Sequence, residues 1–495
     1  MKKVTALFLA LLMLAASMSA CGEAADTDNA ASTDTQSAVT TAAPAETEAD
    51  VLPLGLDKDL NYDGYEVKIL TPSADEKDSF VVEQTGDLIS DALYNRDRTV
   101  EELLSVKLTP VSYTDLGLDT AKIEKMVAAG EDIYDFMHLQ GSTFFANKPT
   151  FEINFLDVSD SKNLSINSPW WNGEAMRNLS YNDKSIKYLI GDISTSSISG
   201  ASVIFYNKQL FDNLYQNPDL PYTDVIEGTW TIDKFAQYCT EGYSDINGNS
   251  QSDRDDTWGT MANIWLCQSF YNGFGEVKFH ERDENGYVRL NIDTNRAVLL
   301  GEKLYSLIWE NSGIMYVDDT KWHETAMRKF ANNEMLFVVN FLFRTQESEM
   351  RNMESDYGIL PMFKLDEEQE NYVSDLNPSG TKWIVIPTTN KEPERTTAII
   401  EALSYYSYYN VTPTFYEDAL KAKYVRDSQS GQVIDIVRDS ICTDYLIGIY
   451  RSTIGQHIIN RVIAKKNDFV SSWEKQLSSY TKQMEKAYET LDKNN

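Results

Sequence analysis

The chain has 495 residues, with 44 Lys and Arg against 76 Asp and Glu, a formal charge of −32 at pH 7. Such an excess of acid excludes a nucleic-acid ligand, whose phosphates need Lys and Arg, and excludes binding to anionic headgroups through the protein surface. The roughly 435 residues beyond the N-terminal leader and tether are too many for one core and suit two domains.

Residues 1–20, MKKVTALFLALLMLAASMSA, carry two lysines, an apolar run from Val4 to Ala16 and then small residues. The run is too short to remain as a bilayer span, so it predicts a secretory signal peptide. Residues 21–60 open on Cys21 and continue in Ala, Thr and acids, with no basic residue before Lys58. Too little apolar surface is available there to offset chain entropy, which predicts a disordered tether.

From Tyr62 the pattern alternates. The stretch YEVKILTP places Val67 and Ile69 on one face of a strand that ends at Pro72. A helix follows with Leu88, Leu93, Val100, Leu103 and Leu104 at helical spacing, then a strand in VKLTPVSY, a helix ending at Gly130 and a strand in IYDFMHLQG. Strand, helix, strand, helix, strand predicts a parallel sheet with right-handed crossovers, hence an α/β fold whose ligand sits beyond the carboxyl ends of the strands. The pair Trp170 and Trp171, flanked by Pro169 and Asn172, falls in a loop. The segments SIKYLIGDIS and SVIFYNKQLFDNL then read as a crossing into a second lobe.

Residues 244–259, SDINGNSQSDRDDTWG, place oxygen-bearing side chains at loop positions one, three, five, nine and twelve: Asp245, Asn247, Asn249, Asp253 and Asp256. That is the spacing of a calcium loop, with the Gln251 carbonyl at position seven. Two departures stand out, Ser250 at the turn position that usually takes Gly and Asp where the twelfth residue is usually Glu. The expectation is a structural calcium ion, and the alternative is a solvated turn. Further on come a helix capped by Asp293, a helix and strand in WHETAMRKFANNEMLFVVNF, a strand in TKWIVIPTTN, and a helix opening at Lys391 to Pro393 that leads into a helical tail. Beyond Cys21 the cysteines are Cys239, Cys267 and Cys442, an odd number without CxxC, so no disulfide framework is expected. The four histidines are scattered, and the zinc-protease, nucleophile-elbow and P-loop patterns are absent.

FYNKQLF, TWTIDKF, KFANNEMLFVV, YGILPMF and WIVIPTTNKEPERTTAIIEAL, in this order, resemble the extracellular solute-binding lipoproteins of bacterial ABC importers, sugar-binding type. SPWWNGEAMRNLSYNDKSIKYLIGDIS and YEDALKAKYVRDSQSG resemble a clostridial subgroup, and MSAC resembles a lipobox, by which Cys21 carries the lipid. The resemblance implies the type II periplasmic-binding-protein (Venus flytrap) fold, with two discontinuous lobes joined by a hinge. Lobe 1 is expected over 61–200 plus about 325–345, and lobe 2 over 201–324 plus about 346–495. It also implies a lipid-anchored monomer on the outer face of the cell membrane of a Gram-positive-type bacterium, with no catalysis. Its expected task is to capture a mono- or oligosaccharide for the permease subunits of an ABC importer. A secreted glycoside hydrolase, which needs only two carboxylates, and a helical glycan-capture lipoprotein are the alternatives.

Sugars offer apolar C–H faces and a rim of hydroxyls, so a site needs flat rings beside carboxylates, amides or guanidinium groups. Trp170 and Trp171 are the leading stacking platform, with a brace for the loop as the other reading. Trp265, Tyr271 and Asn272 follow the acidic loop, although Trp265 also suits a packing stripe with Phe270 and Phe274. Arg344, after Phe343, ends an apolar run and is expected to emerge at the end of a strand. Glu83, Asn377 and Trp383 are candidates by position.

Overall fold

The computed structural model describes residues 54–494 except 74–78, 275–278, 319–320, 377–379 and 417–427. Within them Leu54 onward forms one compact unit. The signal peptide, Cys21 and most of the tether lie outside the described residues, as does Asn377. Among the described residues no helix is long and apolar enough to cross a membrane.

Two sheets organise the chain. β1 (Tyr65–Thr71) pairs in parallel with β2 (Val106–Ser112) on one side and β3 (Phe136–Gln140) on the other, as the alternating pattern predicts. The connecting helices begin where short polar side chains can accept the first free N–H groups. Asp87 accepts from Ser90 N (3.0 Å) ahead of Leu88–Leu104, and Asp119 accepts from Lys122 N (2.9 Å) ahead of Thr120–Ala128. The first of these helices turns Ile89, Leu93, Val100 and Leu104 inward, whereas Leu88 and Leu103 of the predicted stripe are exposed. Asp293 caps Thr294–Tyr305 through Asn295 N (3.0 Å) and Arg296 N (3.1 Å), and Pro393 opens Pro393–Tyr406, both as predicted.

The second sheet is antiparallel. β4 (Ser202–Asn207), buried at every residue, lies between β9 (Phe337–Phe341) and β10 (Tyr357–Leu360). The intervening short strands are β5 (Thr260–Ala262), which pairs with β8 (Ile314–Tyr316), and the hairpin of β6 (His280–Arg282) with β7 (Val288–Leu290). β11 (Ser374–Asp375) pairs with β13 (Ile441–Cys442), and β12 (Lys382–Val385) runs antiparallel to β3 at the edge of the first sheet.

These pairings correct the expected division of the chain. The segment placed with lobe 1 at about 325–345 supplies β9, which pairs with β4 of the second sheet; β12, placed with lobe 2, completes the first. The reason is geometric. A strand buried on both faces reads as a plain apolar run, and nothing in such a run says which of two sheets it joins. The chain passes from the first sheet to the second through Gly200–Ser202 and returns after Leu376. There Ala201 bridges Leu376 and its carbonyl accepts Leu342 N (3.0 Å).

The helix Pro393–Tyr406 is pinned to the Trp170–Trp171 loop by one carboxylate. Glu401, fully buried, accepts Trp170 Nε1 on one oxygen (3.0 Å) and Trp171 Nε1 on the other (2.8 Å). Burial raises its pKa against the pull of these bonds. Replacing Glu401 with Ala leaves two buried indole N–H groups without an acceptor and opens a cavity, so a loss of about 3 kcal/mol or more is expected. Urea unfolding of Glu401→Ala and Glu401→Gln checks this, with the glutamine variant, which keeps an acceptor oxygen, falling between.

Candidate functional site

Beside the crossing strands a cavity of about 420 Å³ opens between Glu174 and Asn178, Tyr271 to Phe274, Phe279 and His280, Asn371 to Asp375, and Ser440 to Ile447. Its size falls within the range of small-molecule sites. Tyr271, Phe274, Phe279 and Tyr372 supply rings. Tyr271 and Phe279 lie 5.8 Å apart between centroids, and Phe279 is backed by Trp473 at 5.1 Å. The polar groups converge from several elements. On helix Ile264–Asn272, Gln268 Nε2 donates to Asn272 Oδ1 one turn on (2.9 Å), and Asn272 Nδ2 donates to Asp375 Oδ2 on β11 (2.6 Å). Asp444 caps Tyr445–Ile449 through Leu446 N (2.8 Å) and Ile447 N (3.2 Å) and pairs with His280 Nε2 on β6. The pairing of β11 with β13 brings Asp375 and Thr443 to one wall.

Two electrostatic features define what this wall can do. Burial pushes Asp375 up to about 7, against the pull of Arg451 and of the Asn272 bond, with Asp444 adding to the rise. Burial, with Glu174, Asp444 and Asp375 nearby, pushes the Cys442 thiol up to about 12, so it stays a thiol at neutral pH and is no ready nucleophile. Rings beside carboxyl, amide and hydroxyl groups suit a neutral polyhydroxy ligand.

A second cavity of about 320 Å³ shares Glu174 and Ile441 with the first and is lined by Trp171, Asn172, Asp192, Ser197, Thr412 and Arg438. Asp192 Oδ2 accepts Thr412 Oγ1 (2.6 Å), and burial raises the Asp192 pKa to about 6 against that bond and the Arg438 charge. A larger depression of about 640 Å³ near Ala331 to Asn333 and Ser348 to Glu354 has no ring among its lining residues.

Of the residues expected at the site, Tyr271 and Asn272 line the main cavity and Trp171 the smaller one. Trp170, 1 % exposed and against Tyr405, offers no free face, which corrects its place in a stacking platform. Trp383, also 1 % exposed, stacks on Phe145 at 4.9 Å inside the core; the β-branched run around it makes it a packing residue. Arg344 follows β9 but is engaged locally, with Asn340 Oδ1 (3.1 Å), with Glu347 and over the Phe343 ring. Glu83 is exposed and lines neither cavity. The side chain of Trp265 and all of Asn377 lie outside the described residues. Asp375, His280, Tyr372 and Asp444 were not anticipated. Only Asp444 had a local signal, as an acid placed to cap the apolar turn YLIGI.

No family model matches the chain, and no curated protein sequence does. Solved structures do. The galacto-N-biose/lacto-N-biose I-binding protein of an ABC transporter from Bifidobacterium longum, in complex with lacto-N-biose, superimposes with a TM-score of 0.55 at 11% identity, over 85% of this chain and 98% of its own. An ABC transporter solute-binding protein from Thermotoga lettingae bound with α-D-tagatose gives 0.53 at 13% identity, over 86% and 100%. The ABC-transporter-associated binding protein from B. animalis subsp. lactis, in complex with β-1,6-galactobiose, gives 0.53 at 14% identity, over 85% and 98%. The chain has the two-lobed α/β fold of these solute-binding proteins.

A carboxyl group whose pKa is raised in the folded state adds stability that is fully present below its unfolded value and lost as pH rises through the folded one. For Asp375 that window runs from about 3.8 to about 7. Asp375→Asn is therefore expected to flatten the fall in melting temperature between pH 4 and pH 7 relative to the parent protein, as read by calorimetry.

Proposed function

We propose that the protein captures a mono- or oligosaccharide outside the cell and presents it to the permease of an ABC importer. The cavity beside the crossing strands carries this reading. Tyr271, Phe279 and Tyr372 supply ring faces, and Asn272, Asp375, Asp444 and Thr443 supply hydrogen-bonding groups. The fold is shared with proteins solved with lacto-N-biose, tagatose and galactobiose, which supports a sugar over a peptide or a phosphate. The acidic surface agrees, since it would repel an anionic ligand.

In this reading the ligand closes the two lobes about the crossing strands, and closure creates the surface that the permease recognises. Cys21 anchors the mature chain by its lipid, and the acidic tether holds the binding body clear of the membrane. The protein acts as a monomer and binds without turnover.

A thermal-shift screen over mono- and oligosaccharides, followed by titration calorimetry on the best ligand, tests the proposal. The expected result is saturable binding that Asn272→Ala weakens about tenfold, or ~1.4 kcal/mol. Small-angle scattering should show compaction with that ligand. A peptide that binds while every sugar fails, or release of product from chromogenic glycosides, would remove the sugar-capture reading.

A further inference from the structure

The loop between helix Ile232–Glu241 and β5 carries a polar set that plays no part in the cavity. Asp245 accepts Gly248 N (2.7 Å) and Ser250 N (2.8 Å), Asn247 Oδ1 accepts Asn249 N (3.0 Å), and Asn249 Oδ1 accepts Gln251 N (2.7 Å). Each bond folds a side-chain oxygen back over the loop. Ser250 adopts a left-handed φ of 59°, so it makes the sharp turn for which glycine is the usual choice.

Hydrogen bonds of this kind would hold a turn together with or without an ion. The separate observation is Asp256. Its side chain is fully buried, and its Oδ2 accepts Asp253 N (3.0 Å) and Tyr243 Oη (3.0 Å), which sets the carboxylate against the loop. Its Oδ1, buried as well, has no hydrogen-bond partner. A buried carboxylate oxygen without a donor is costly, and a cation relieves that cost where it also gathers other oxygens. Asp253 provides more of them and is at present capped by the amide groups of Asn247 (3.3 Å) and Asn249 (2.7 Å).

We propose that this loop binds a calcium ion through Asp256 Oδ1 and oxygens of Asp245, Asn247, Asn249, Asp253 and the Gln251 carbonyl. Among the described residues Asp245, Asp253 and Asp256 do not stand as a preassembled metal-holding group, so the ion has to draw them in together with the amide and carbonyl oxygens of the loop. An all-oxygen shell drawn from a pliant loop selects calcium over zinc, which takes nitrogen and sulfur, and over magnesium, which demands a compact octahedron. The ion's task is structural. The Asp256 carbonyl accepts Lys329 Nζ (3.0 Å), and Lys329 pairs with Glu334 (3.0 Å). The chain leaving the loop is then laid along the strand entering β9: Trp258 N donates to Glu334 O (3.1 Å), Leu336 N to Trp258 O (2.9 Å) and Phe337 N to Gly259 O (2.8 Å). Holding the loop therefore holds the edge of the second sheet.

Terbium titration of EDTA-stripped protein tests this, because Trp258 and Tyr243 sit beside the site as donors for sensitised emission. The expected result is emission on tryptophan excitation that calcium displaces, with a melting temperature lowered by EDTA and restored by calcium. Asp256→Asn and the half-buried Asp245→Ala should each weaken terbium binding about tenfold or more, while Asp255→Asn, exposed and outside the set, should match the parent. Stripped parent protein with an unchanged melting temperature and no emission overturns the proposal. So does emission that survives both Asp256→Asn and Asp245→Ala, which would place the ion elsewhere.

Discussion

β4 is buried at all six of its residues, so every backbone N–H and C=O along both its edges must find a partner inside the protein. Much of the architecture follows from that demand. β9 satisfies one edge and β10 the other, each running antiparallel to it. At the start of the strand the demand spills into the crossing: the Ala201 carbonyl accepts Leu342 N, and Ala201 pairs with Leu376. The route by which the chain returns to the first sheet is thus set by the hydrogen-bonding needs of the strand by which it left. The main cavity lies alongside because β11, which ends just before Leu376, carries Asp375 into its wall.

Buried charges fix the loops around this frame. Arg96, 1 % exposed, lies beside Asp97 and donates to Ile193 O (2.7 Å), Ser407 Oγ (3.0 Å) and Ser79 O, so one guanidinium ties the first long helix to three other parts of the chain. Burial raises Asp97 to about 6 in spite of the Arg96 charge. Glu401 does the same for the Trp170–Trp171 loop with two indoles. Interactions of this sort add little net stability over an apolar filling, but removing one partner is severe, and they specify one arrangement of loops among several that pack comparably.

Much of this frame was legible in the sequence, and the limits are physical. The first sheet could be read because its elements are local, each strand separated from the next by one amphipathic helix with its own caps. The partners of β3 and β4 could not, because β12 and β9 come from far along the chain and carry no mark of register beyond being apolar. Tyr271 and Asn272 were found because they follow the acidic loop toward the second lobe, while Asp375 and His280 each sit in a two- or three-residue strand whose pairing is decided by tertiary contact. Trp170 and Trp383 show the opposite error. A large ring in a polar or β-branched setting looks available for stacking, yet a buried glutamate or a facing phenylalanine claims it, and both partners are remote in sequence.

The pairing of β3 with β12 has a consequence for how the protein is made. Residues Phe136–Gln140 wait for Lys382–Val385, more than two hundred residues further on, before the first sheet has its outer edge. Until then β3 shows a bare ladder of N–H and C=O groups, and contacts of such sequence separation form slowly. Closure of the first sheet is therefore a late step of folding, set by the order in which the strands leave the ribosome rather than by their strength.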